Sequence, residues 1–180
     1  MLEAIEELVR TLRQDPDAWM LHRLARSYFL IIMRRPLLTA VFLDDSELLG
    51  KLARPDTEAR EQRHHLSSRA YLELLTEHGL LRADLRPDAV AYAFLATLEG
   101  FVRAEATADD ELGSDIQERA DLFASTVQRA FETDPNLPTV TRQAVVAQVI
   151  ELFAGAADAG RSGLGIAKAP EPAGGQEVVP

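Results

Sequence analysis

Apolar residues recur three and four apart through almost all of residues 1–157, and short alternating runs rich in Val, Ile and Thr are missing. Spacing of three and four gathers apolar side chains on one face of a helix, whereas a half-buried strand needs strict alternation. Prolines supply the punctuation. Pro16, Pro36, Pro55, Pro87, Pro135 and Pro138 fall between the periodic runs, where a missing N–H costs least. The expected fold is therefore all-α, a bundle of about seven helices filling residues 1–157. Four glycines precede residue 155 and six lie from there on, so residues 158–180, rich in Ala, Gly and Pro, are expected to be a disordered tail.

The periodicity places a first helix at about 2–13, with Leu2, Ile5, Leu8, Val9 and Leu12 on one face. Asp15-Pro16 reads as an N-cap and first-turn proline opening a second helix to about Arg35. Within it, Tyr28-Phe29-Leu30-Ile31-Ile32-Met33 is apolar all round, which marks a helix enclosed by others and the centre of the core. A third helix follows Pro36, with a short one near Ser46–Leu52. A fourth runs from about Asp56 to His78 and stops at Gly79, a suitable left-handed C′ residue. Arg86-Pro87 opens a fifth, to about Glu105. Ser114-x-x-Gln117 has the spacing of a capping box for a sixth, and the last helix follows Pro138.

Composition narrows the function classes. The 180 residues form one domain and a tail, with 47% hydrophobic and 27% charged residues, as in ordinary globular proteins. Lys and Arg number 19 against 29 Asp and Glu, a net charge of -10, which opposes a dominant grip on nucleic-acid phosphates by this chain. There is no cysteine, so disulfides, Cys-ligated metals and thiol chemistry are excluded. The longest apolar run, Tyr28 to Met33, is too short for a membrane helix, and the first residues lack the basic and apolar regions of a signal peptide. A cytoplasmic protein with no membrane partner is expected.

No catalytic, metal or cofactor site emerges. Glu61-x-x-His64 matches one turn of a di-iron bundle, but no second copy exists. His64 and His78 lie 14 residues apart on one helical stripe, about 21 Å along the axis, too far to share a metal. The clusters Asp44-Asp45-Ser46-Glu47 and Asp109-Asp110-Glu111 read as solvated acidic faces. No nucleophile elbow, phosphate loop or dinucleotide fingerprint occurs.

Two features point to binding instead. The stripe His64, Ser67 or Ser68, Tyr71, Leu75, His78 is half polar, and Tyr28, Phe29, Met33, Phe42, Tyr92 and Phe94 come from three other helices as aromatic and thioether walls. A mostly apolar cavity with a few convergent polar groups is the usual form of a small-molecule site. A filled core whose Tyr and His tips reach solvent would leave the same pattern. The fifth helix carries a second face of small residues, Ala89, Ala93, Ala96 or Thr97, Gly100 and Ala104, beside Phe94, Leu98 and Phe101. Two apolar faces need two partners, and the second is expected to be another copy of the chain or a neighbouring helix of the same subunit. Phe123 and Val127 on the sixth helix are assigned with Ala89, Ala93, Thr97, Gly100 and Ala104 to that dimer interface.

The order of these segments resembles the C-terminal regulatory domain of TetR-family transcriptional regulators. The resemblance is carried by Arg34-Arg35-Pro36-Leu37-Leu38 after an enclosed apolar helix, by Arg82-Ala83-Asp84-Leu85-Arg86-Pro87-Asp88-Ala89 leading into Ala93-Phe94-Leu95-Ala96-Thr97-Leu98-Glu99-Gly100-Phe101, and by Ala130-Phe131 before a proline-bounded last helix. It implies an effector-sensing body that binds a small, mostly apolar molecule, dimerises, and passes a conformational change to a helix-turn-helix head. That head has no counterpart in these residues, and by analogy Met1 falls inside the helix joining head to body. The expected partners are thus a second copy and a small-molecule effector, with no direct nucleic-acid contact by this chain. A helical protein-interaction module without a small-molecule ligand is the alternative.

Overall fold

Three of the proline positions act as helix starts in the computed structural model, which describes residues 2–15, 17–43, 69–107, 115–133 and 137–163. The helices are α1 (Leu2–Gln14), α2 (Leu21–Met33), α3 (Pro36–Leu43), α4 (its described part spanning 69–77), α5 (Pro87–Thr107), α6 (Ile116–Phe131) and α7 (Thr139–Gly163). Pro36 and Pro87 are first helical residues, and α7 begins directly after Pro138. The chain is all-α. Its β structure, among the described residues, is one isolated antiparallel bridge between Leu81 and Glu132. The short helix expected near Ser46–Leu52 lies outside the described residues, as does the start of the fourth.

Helix α2 is the hub. It packs most heavily against α6 and also touches α1, α3 and α5. Tyr28, Phe29, Ile31 and Ile32 are all buried, as an all-round apolar segment requires. Phe29 sits between Phe101 of α5, with ring centroids 6.4 Å apart, and Phe123 of α6 at 5.8 Å. Phe101 and Phe123 are themselves 5.0 Å apart, so three helices meet in one aromatic cluster. Polar links fix the rotation of α2 on α6, since Arg26 donates to Asp121 at 2.5 Å and to Gln117 at 2.9 Å.

The end of α4 is fixed by local chemistry. Gly79 has φ 66°, Leu80 N–H donates to Leu75 O and Gly79 N–H to Thr76 O, each at 2.9 Å. These are the paired bonds of a Schellman motif, closed by the contact expected between the buried Leu75 and Leu80. The following strand-like segment is held by Arg82 N–H donating to Phe131 O and Thr133 N–H donating to Leu80 O.

Three expected boundaries are corrected. Asp15 does not open α2: its N–H donates to Thr11 O, finishing α1, its Oδ1 accepts from Asp17 N–H at 2.9 Å, and turns carry the chain to Leu21. The N-cap of α6 is Asp115 rather than Ser114, and Gln117 accepts from Arg26 instead of closing a capping box. The last helix runs past 157 to Gly163. There Ala157 is buried, Gly160 lies against Leu2, and Arg161 pairs with Glu6 of α1 and with Asp158. Small residues here bring α7 close to α1, so the Ala and Gly content up to Gly163 reflects packing. Residues 164–180 lie outside the described part.

Candidate ligand-binding site

A partly open cavity of about 410 Å³ lies where four elements end or begin. Trp19, Met20, Leu21 and His22 come from the turn before α2 and its first residues. Leu75 and Leu80 come from the α4 terminus, Gln128, Glu132 and Thr133 from the end of α6, and Leu137 and Arg142 from the start of α7. Such a volume lies within the range of small-molecule sites.

The start of α2 determines the electrostatics. Its N-cap residue, Met20, offers no side-chain acceptor. Glu132 supplies one from 110 residues away: Oε1 accepts from His22 N–H at 2.9 Å and Oε2 faces His22 Nδ1 at 2.5 Å. A carboxylate here satisfies an orphan N–H and meets the positive end of the helix dipole. With the carboxylate as acceptor, the imidazole proton sits on Nδ1 and Nε2 is left as the ring's remaining polar atom. Behind this wall, Tyr71 OH donates to Trp19 O at 2.7 Å and fixes the turn. Burial, and then the Glu132 charge, push the Tyr71 hydroxyl well above its ordinary range, so it remains a proton donor.

Of the described residues among those expected to form a pocket, the cavity takes in Leu75 alone. Tyr28, Phe29 and Tyr71 are core residues: Tyr28 packs edge-on to Phe42 at 6.3 Å, and Tyr71 packs on Phe153 at 5.6 Å. Burial raises the Tyr28 hydroxyl far above the phenol range. Met33, Phe42 and Phe94 pack against the core, Phe94 on Phe123 at 6.1 Å. His78 is half-buried in the turn after α4, outside the cavity lining. Tyr92 points into solvent with 78% exposure, because the buried face of α5 runs through Val90, Leu98 and Val102. His64 and Ser68 lie outside the described residues, as do Ser67, Glu61 and the two acidic clusters. No group of three potential metal ligands gathers among the described residues.

The small-residue stripe is divided more cleanly. Ala89, Gly100 and Ala104 are exposed and Ala93 and Thr97 half-buried, and among the described residues nothing beyond its own helix backbone and chain neighbours comes within 4 Å of where a Cβ on Gly100 would stand. Phe123 and Val127 are corrected: both are fully buried within the subunit, Phe123 against Phe29 of α2 and Phe101 of α5, and are not available to a second copy. The large apolar residue exposed on that part of α6 is Leu122, at 61%.

Comparison with family models, curated proteins and solved structures finds no match. Among the described residues, no helix is long and apolar enough to cross a membrane.

Proposed function

We propose that this chain is the effector-binding and dimerising body of a cytoplasmic transcriptional regulator resembling the TetR family. The observation that carries the proposal is the cavity at the junction of α2, α4, α6 and α7. A molecule seated there bears on the Glu132 cap and hence on the register of α2 against α6. Helix α2 also packs on α1, and Glu7 of α1 accepts from Arg34 at 2.9 Å and from Arg35 at 2.5 Å just past the α2 terminus. A shift of α2 therefore reaches α1, the element that would lead to a DNA-binding head. Operator contact belongs to that head, and this acidic chain alone binds no DNA specifically.

The role is binding rather than catalysis. Among the described lining residues, the His22–Glu132 pair has no free nucleophile to activate, since the Thr133 hydroxyl is committed to Gly79 O at 2.8 Å. Dimerisation is assigned to the outer face of α5 and is supported by the exposed Tyr92, Leu95 and small residues around Gly100. Light-scattering chromatography at tens of micromolar tests it. A homodimer is expected, and Gly100→Leu weakens it at least about tenfold by overpacking the close approach. The open space around Gly100 within the subunit leaves the monomer fold untouched. A strict monomer, or unchanged association in the variant, removes this face from the interface and favours a protein-interaction module.

A further inference from the structure

The hydrogen-bonding capacity left unspent around the cavity identifies the ligand's polar end, given that the cavity is the effector site. Both Glu132 oxygens already accept from His22. Thr133 donates its hydroxyl to Gly79 O and its N–H to Leu80 O. Among the described lining residues, two donors stand unspent: the buried Trp19 Nε1–H, which has no hydrogen-bond partner, and the Arg142 guanidinium. Among the described residues, the charged partner of the Arg142 guanidinium is Asp17 at 3.6 Å, beyond hydrogen-bond distance, and both side chains are partly open to solvent, 43% and 38% exposed. Gln128 adds a side-chain amide on the same rim. Trp19, Leu75 and Leu80, all buried, form an apolar wall of the cavity.

We propose that the cavity takes a small organic carboxylate with an apolar body, its carboxylate received by Arg142 at the mouth and its body against Trp19, Leu75 and Leu80. A guanidinium matches a carboxylate with two parallel N–H bonds and offers a cation nothing. Of the two carboxylates nearby, Glu132 already accepts two bonds from His22, and Asp17 stands 3.6 Å from Arg142 without a hydrogen bond to its N–H groups.

Trp19 is the only tryptophan of the chain, so its emission reports occupancy of the wall it forms. The experiment titrates the full chain with 4-phenylbutyrate, its neutral amide and the corresponding 4-phenylbutylamine, following Trp19 fluorescence at constant pH and salt. The expected result is a saturable change with the carboxylate, binding at least about tenfold tighter than amide or amine. Arg142→Gln should bring the carboxylate down to the affinity of the amide, and Arg142→Lys should restore part of the difference. Equal binding of the three probes to the wild type, or carboxylate binding unaltered in a folded Arg142→Gln chain, overturns the carboxylate assignment while leaving a small-molecule site standing. A flat titration with all three removes the effector reading itself.

Discussion

Glu132 illustrates how one side chain does two structural jobs. It sits just past the end of α6, bridged to Leu81, and its carboxylate closes the open N-terminus of α2. Removing it leaves His22 N–H and Nδ1 without acceptors in a mostly buried site, where the side chains are 16% and 11% exposed. Glu132→Ala is expected to cost about 1–2 kcal/mol, a typical value for a lost cap and charged hydrogen bond. Glu132→Gln keeps an oxygen for His22 N–H and should lose less than half of that. Urea denaturation of the two variants checks the order, and equal losses would show that charge, rather than the acceptor atom, holds α2. Glu7 gives a second case with a pH signature. Partial burial works to raise its carboxyl, but the hydrogen bond from Arg35 and the charges of Arg35, Arg34 and Arg10 outweigh burial and hold it below the ordinary value of 4.5. A depressed folded-state value means that its contribution is complete above about pH 4.5 and is lost as pH falls through the lowered value. Solvent at Arg34 screens the pair, so the stability gap between wild type and Glu7→Gln is expected to be about 0.5–1 kcal/mol at pH 6. It should close on acidification to pH 3. A gap of constant size across that range would assign it to packing.

At the scale of elements, two helical glycines have opposite surroundings. Gly100 on α5 faces open space, whereas a Cβ on Gly160 of α7 would stand 3.1 Å from Leu2 Cδ1 of α1. Gly160→Leu should therefore overpack the α1–α7 contact and destabilise by about 1–3 kcal/mol. Gly100→Leu should instead raise subunit stability by about 0.5–1 kcal/mol through helix propensity when measured below the dimer concentration. Urea midpoints of the two variants compared with wild type test this sign difference. A neutral Gly160→Leu would show that the last turns of α7 are not seated on α1. The same contact explains why α7 extends past 157. Alanine and glycine in a row look like a tail by composition, but against Leu2 of α1 they are what allows two helix backbones to approach, and Arg161 then reaches Glu6.

For the whole molecule, α2 is surrounded by α1, α3, α5 and α6, so a disturbance at either end of it spreads widely. Its N-terminus lines the cavity and its C-terminus leads to the arginines that hold α1. The helical class, the enclosed segment Tyr28–Met33, the stop at Gly79 and the starts at Pro36, Pro87 and Pro138 were all legible in the sequence, because each rests on local rules of period, φ or a missing N–H. The faces were harder. Phe123 and Val127 share the apolar period expected of an interface, but period alone does not say whether a face meets the subunit's own core or a second copy. The cavity could not be read at all. Nothing local ties His22 to a glutamate 110 residues on, and Tyr71 of the half-polar stripe turned inward, where it became a structural donor to Trp19 O. Sequence determined which segments are helices and where most of them stop, since those choices are settled within a few residues of chain. Tertiary structure alone decided which ends converge, because a cavity at the junction of four elements is a property of how they are docked.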